Sequence, residues 1–193
     1  MAISIPADLT IVTLKSNGQE LAQRWTPAYA TSVLREASDL LRSRTNIEFP
    51  RGACEQVVEE MPAGASADTV DEAGYHYLVA AHKAGNGVRV LLVDRVSRPE
   101  LGGQSLRQTQ VCLIAYGSEL AATSRMLAHE LGHLLALPHV DSGRRAGPGQ
   151  ENQVAGWMRN LMYSGALHPA AELTPTQVQA ARSSPLARRF GGR

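Results

Sequence analysis

The sequence predicts an α+β fold, and three observations carry the prediction. Apolar runs of strand type alternate with amphipathic helical stretches up to about residue 117. A longer helical stretch follows and carries His129, Glu130 and His133, with His139 just beyond it. After that the composition turns to loop, with one further helix. At 193 residues, a single domain with a substantial core is the expected organisation.

Residues 9–14 are rich in β-branched side chains and read as a first strand, broken by Ser16-Asn17-Gly18. Across residues 27–44, Ala30, Val33, Leu34, Ala37, Leu40 and Leu41 recur at helical spacing. Thr26 is placed to cap that helix, with Pro27 at its first position. Residues 47–49 form a short strand ending at Pro50, and residues 56–60 a further one. Residues 75–84 allow a helix ending at Gly85 or a strand entering a hairpin at Asn86-Gly87; the helix is adopted. Residues 88–96 and 111–115 read as buried strands. Ser118 is placed to cap the histidine-bearing helix, whose apolar side is Leu127, Leu131, Leu134 and Leu135. Residues 140–156 read as loop, and Thr174-Pro175 opens a last helix through about Arg182.

The formal charge of +1 gives no electrostatic case for nucleic acid or an anionic membrane. No apolar run reaches transmembrane length. Lys15 and Lys83 are the only lysines. That usage fits a GC-rich bacterial genome, or selection against lysine in a protein that enters eukaryotic cells. Cys54 and Cys112 cannot build a disulfide framework, and the neighbours Val111 and Leu113 mark Cys112 as a core thiol. Residues 1–13 lack the basic and apolar regions of a signal peptide. The expectation is synthesis in the cytoplasm, export as an effector or toxin by a route without such a peptide, or trimming of the sequence.

The histidine spacing carries the chemistry. On a helix, His129 and His133 at i and i+4 project from one face. Glu130, beside the first of them, is placed to handle a proton. His139 lies too far along to share that face, so as a ligand it requires a sharp turn after His133. Three protein ligands with an open fourth position is the arrangement of a catalytic zinc.

This stretch resembles the metzincin clan of zinc endopeptidases, whose signature is HExxHxxGxxH followed by a methionine turn. Asn160-Leu161-Met162-Tyr163-Ser164 supplies the second element, in wording most similar to the matrixins, with Ser164 where they carry proline. The likeness is close over residues 118–182 and architectural over residues 1–117. It implies a zincin-like fold: a twisted, mostly parallel mixed sheet of about five strands with the active-site helix, in an upper subdomain of residues 1–136. A lower subdomain of residues 137–193 carries the methionine turn and the last helix.

The resemblance further implies a monomeric zinc endopeptidase acting on protein or peptide substrates. One zinc ion is held by His129, His133 and His139, and Glu130 passes a proton from the attacking water to the leaving nitrogen. Met162 forms a floor beneath the imidazoles without binding the metal. Tyr163 immediately follows Met162, whereas relatives with a functional tyrosine place it two residues on, so it receives no role. An extended substrate lies along an exposed strand edge in such enzymes. Residues 101–106 are either that edge, with Leu101, Gly102 and Gly103 at the substrate, or a surface loop. Residues 163–170 would wall the adjoining pocket, with Leu167 or His168 setting its depth. Narrow specificity, export or a protein inhibitor would restrain the activity.

Ala136 departs from the pattern, standing where the clan has glycine. A left-handed alanine costs roughly 1–2 kcal/mol, small beside zinc binding on the order of 10 kcal/mol. The turn is therefore expected either with Ala136 strained or with the bend shifted by one residue. Two rivals stay open: a third ligand from Glu151 or Glu172, and a zinc-retaining binding module without hydrolysis. His76 and His82 read as ordinary, Asp141 as a loop carboxylate or an orienting partner of a ligand, and Cys54 lacks the surroundings of a zinc-blocking switch.

Overall fold

The β-branched run near the N-terminus becomes an interior strand of the sheet, paired on both sides. In chain order the elements are β1 (Ile3–Ser4), β2 (Ala7–Ser16), β3 (Gln19–Glu20), α1 (Pro27–Thr45), β4 (Ile47–Glu48), β5 (Arg51–Glu60), α2 (Glu72–Ala81), β6 (Val88–Val93), β7 (Gly103–Leu106), β8 (Val111–Ala115), α3 (Leu120–Leu134), α4 (Glu151–Met158), α5 (Pro175–Arg182) and α6 (Pro185–Gly191). The computed structural model describes residues 2–16, 19–62, 69–97, 102–141, 151–165 and 168–191. Strand β2 pairs in parallel with β5 on one side and β6 on the other. Strand β8 joins β6 in parallel, and β7 closes that edge antiparallel to β8. Short β3 folds back on the end of β2, and β1 pairs with β4 apart from the main sheet. The open, mostly parallel sheet with flanking helices is the fold class expected from the sequence.

Parallel strands need both faces covered, and the apolar residues divide accordingly. Leu9, Ile11, Val90, Leu92, Cys112 and Ile114 pack in the core shared with α1 and α3. Leu91, Val93, Val111 and Leu113 pack with Tyr75, Leu78 and Val79 of α2. Thr26 caps α1 by accepting the Tyr29 N–H at 3.2 Å, with Pro27 at the start, as its sequence predicts.

Four features differ from the sequence reading. Residues 151–156, within the stretch 140–156 expected to be loop, belong to α4, in which Trp157 is mostly buried. A terminal helix, α6, follows α5 with Leu186 and Ala187 buried, and no strong periodicity announces so short an element. Helix α3 starts after Glu119 with no side-chain cap, so Ser118 does not play that part. Ala121 and Ala122 are exposed, leaving water to satisfy first-turn N–H groups. The two-residue strand β3, which no sequence signal marked, brings the main sheet to six strands, in line with the expected about five.

The Asn86-Gly87 signal marks the tight turn into β6, while residues 72–81 before it are helical. Gly87 has φ +138°, and a Cβ there would lie 2.1 Å from the Pro6 carbonyl oxygen. That oxygen accepts the Val88 N–H at 2.9 Å, so the approach fixes the register of β6 on β2. Gly87→Ala is expected to lower stability by about 2–3 kcal/mol, read from urea unfolding midpoints.

Candidate metal centre

Helix α3 owes its position to Leu127, Leu131 and Leu134, which bury one side in the core shared with α1. Its end follows a Schellman pattern. Ala136 N–H donates to His133 O at 2.9 Å, and Leu137 N–H to Gly132 O at 3.0 Å. This closure requires a left-handed residue, and Ala136 supplies it at φ 68°. Of the two expected outcomes, the strained alanine is the one found. The turn leaves Leu137 O 2.8 Å from His133 Nδ1.

A second carbonyl meets the first histidine from the segment carrying Leu161 and Met162. Leu161 O lies 2.6 Å from His129 Nδ1. A carbonyl oxygen only accepts, so each Nδ1 carries the hydrogen and each Nε2 is left with a lone pair. Those lone pairs converge. His129 Nε2 is 3.1 Å from His133 Nε2 and 3.2 Å from His139 Nε2, and His133 and His139 are 3.0 Å apart at the same atoms. One tetrahedral ion with bonds of about 2.0–2.1 Å places such nitrogens about 3.3 Å apart, so the group fits a single metal. Among the described residues it is the one group of three His, Cys, Asp or Glu ligand atoms that could hold an ion. Burial lowers the His129 pKa, against the Leu161 carbonyl, which raises it.

Glu130 is buried under the edge strand. A methyl group on Gly103 would lie 2.9 Å from Glu130 Cγ and 3.1 Å from its Oε1, so β7 crosses the carboxyl at backbone distance. Burial raises the Glu130 pKa to about 7, with the Ser105 hydroxyl, its hydrogen-bond partner, pulling the other way. Ala115 N–H donates to Gly102 O at 2.8 Å, and Gly103 and Ser105 face Ile114 and Cys112. Paired residues in an antiparallel ladder alternate between bonded and unbonded. Gly103 and Ser105 therefore turn their main-chain groups away from β8, towards the sheet edge.

Met162 is fully buried against α3 at Gly132, where a Cβ would lie 2.6 Å from its sulfur. Its carbonyl accepts the Val140 N–H at 2.8 Å, joining the turn to the segment that carries His139. Asp141 adds a second link, accepting from Ser164 N–H at 3.2 Å and from the Ser164 hydroxyl. Burial raises the Asp141 carboxyl, but the Ser164 bonds outweigh it and the pKa is lowered.

Other sequence-predicted residues are not part of this group. His168 is exposed and accepts the Ala170 N–H at 3.0 Å within its own turn. Leu101 and Leu167 lie outside the described residues. Glu172 is tied to Arg159, at 3.1 Å from its Nε, and the Glu151 side chain is outside the described set. His82 pairs with Glu59 at 2.8 Å. Cys54 and Cys112 are free thiols, with Cys112 buried and its pKa pushed up by that burial.

The parts played by Gly132, Ser105, Asn160 and Gln177 were not read from the sequence. Two left a signal. A glycine inside a helix costs about 1 kcal/mol against alanine and asks for a packing reason, and Thr174-x-x-Gln177 is a capping-box spacing. Ser105 and Asn160 left none.

No protein-family model matches the chain, and no curated protein matches it by sequence. Among solved structures, archaemetzincin from Methanopyrus kandleri superposes with a TM-score of 0.53 at 14% identity, covering 98% of this chain and 96% of that one. At that identity the likeness is one of fold: this chain has the fold of that metallopeptidase. Metalloproteinase-II from Bacteroides fragilis gives 0.48 at 15% identity over 92% of this chain, which spans 52% of that one. A zinc-dependent peptidase from Methanocorpusculum labreanum gives 0.45 at 10% identity, covering 90% and 99% of the two chains.

Two measurements follow from this geometry. Ala136→Gly relieves the left-handed alanine but adds chain entropy to the unfolded state, for a net gain of roughly 0.5–1 kcal/mol in urea unfolding. In metal-free protein, the Glu130 pKa of about 7 stands above its ordinary 4.5. The folded state then holds a proton that the unfolded state releases, so stability from this group falls as pH rises from about 4.5 to 7. Relative to Glu130→Gln, the chelator-treated wild type should lose up to about 3 kcal/mol between pH 4.5 and 8. A difference independent of pH would remove the buried-carboxyl account.

Proposed function

We propose that the protein is a zinc-dependent endopeptidase of metzincin type, with His129, His133 and His139 as the ligands of one zinc ion. The observation that carries the reading is the convergence of three histidine Nε2 atoms within 3.0–3.2 Å of one another, two of them left with lone pairs by the carbonyls on their Nδ1 atoms. The buried carboxyl of Glu130, next in sequence to His129, supports it. Zinc bound there supplies a Lewis acid that polarises a peptide carbonyl and makes water acidic enough to attack near neutral pH.

The chain's own residues do the rest. Glu130 accepts the proton of the attacking water and delivers it to the departing amine. Burial favours its protonated form and so raises its proton affinity, which suits it to take up that proton. The outward main-chain groups of Gly103 and Ser105 can add an extended peptide as a further strand, and Gly102 and Gly103 keep side chains out of its way. A cavity of about 540 Å³ beside Gly102, Tyr116 and Met126 adjoins this edge and can receive substrate side chains. Met162 is the apolar floor, and His168 remains a candidate for the pocket wall. The substrate cleft runs between an upper subdomain of residues 1–136 and a lower one of residues 137–193.

The non-hydrolytic alternative rested on Ala136, and the left-handed turn forms with alanine in place, so that motive is removed. Glu130→Ala should keep one zinc per chain while cutting peptide cleavage by about 10²–10⁴-fold. His139→Ala should lose the metal, whereas retention would favour a carboxylate as third ligand. Wild-type protein that holds zinc yet cleaves nothing in a broad peptide library rules out the endopeptidase reading.

A further inference from the structure

The turn carrying Leu161 and Met162 is held by a pair of amides outside the metal-binding pattern. Asn160 is buried. Its Oδ1 accepts the Met162 N–H at 2.9 Å and a Gln177 Nε2 hydrogen at 3.1 Å, and its Nδ2 donates to Gln177 Oε1 at 2.8 Å. Gln177 Oε1 also accepts the Thr174 N–H at 2.9 Å, and Gln177 N–H donates to Thr174 Oγ1 at 3.2 Å. Gln177 therefore belongs at once to the capping box of α5 and to the amide pair. Two backbone donors fix which end of each amide is oxygen: Met162 N–H on Asn160 and Thr174 N–H on Gln177.

Leu161 stands between Asn160 and Met162. Its N–H donates to Glu172 O at 2.8 Å, and its carbonyl receives His129 Nδ1–H at 2.6 Å. The peptide group before that carbonyl is thus tied directly to Glu172, and the carbonyl's own peptide group is tied through Asn160 to Gln177. We propose that Asn160 and Gln177 are positioning residues for His129, through which the first turn of α5 sets the imidazole's tautomer and orientation. The inference rests on His129 being a metal ligand and deepens that reading. A ligand's hydrogen-bonded support is worth about 10–100-fold in metal affinity, and here the support is itself held by a second residue on another helix.

The test compares Gln177→Ala with Thr174→Ala in the full chain. Thr174→Ala removes the cap hydroxyl of α5 but leaves every bond of the amide pair. Three quantities are read: the zinc dissociation constant by chelator competition, the visible absorption of the cobalt-substituted protein, and unfolding of the metal-free protein. Gln177→Ala is expected to weaken zinc binding by about tenfold or more and to shift the cobalt bands. Thr174→Ala should lose comparable stability with zinc affinity unchanged within about twofold. Asn160→Asp keeps the acceptor for Met162 but loses the donor to Gln177, and should move affinity in the same direction; it serves if Gln177→Ala does not fold. The proposal is overturned if the Gln177 and Asn160 variants leave affinity and cobalt spectrum at wild-type values, or if affinity falls equally in Thr174→Ala. Wild-type protein that binds no zinc would instead overturn the metal-centre reading itself.

Discussion

A carbonyl oxygen can accept a hydrogen bond but cannot give one, and the site of this protein hangs on that asymmetry. Leu161 O and Leu137 O each take the hydrogen of an imidazole Nδ1, so the opposite nitrogens of His129 and His133 have only lone pairs to offer. Lone pairs crowded at about 3 Å repel one another, and a cation is what makes such crowding favourable. The same two bonds also tie α3 to the turn that ends it and to the distant segment carrying Leu161 and Met162. Tertiary structure and metal chemistry share these bonds.

The sheet serves the site through one short strand. As the antiparallel edge, β7 has an outer row of main-chain groups free to recognise a peptide, while its inner side lies on Glu130. Gly103 brings the backbone close and Ser105 supplies a hydroxyl to the carboxyl. Under the proposed function, substrate pairing and proton handling would meet within three residues of one strand. The opposite edge, β5, is of another kind: it is largely exposed and carries Glu55, Glu59 and Glu60, charges that discourage indiscriminate strand pairing.

The sequence was most informative where periodicity and chemistry coincide. Helix α1 was legible because its apolar spacing and its Thr26-Pro27 start agree, and α3 because its leucines and its histidines both repeat at helical intervals. Helix α4 was not, since a reading by composition over residues 140–156 averaged it with its glycine- and proline-rich neighbours. The three histidines that cluster could be picked out from spacing, two because a helix fixes i and i+4 and the third once a sharp turn follows His133. The residues packed around them could not, because the Asn160–Gln177 pair and the Ser105 approach to Glu130 join distant stretches whose meeting no local pattern encodes.

Ala136 carries a lesson about how such motifs are written. A signature spelled in letters asks for glycine at that place and passes over this chain. Spelled as a torsion angle, it asks for a positive φ and two closing hydrogen bonds, and the chain meets it in full. The strain of one alanine is small against the binding of a metal, so the tighter the ion is held, the less the letter at that position is constrained. Substitutions that a strict pattern counts as loss of the motif can therefore leave the chemistry intact.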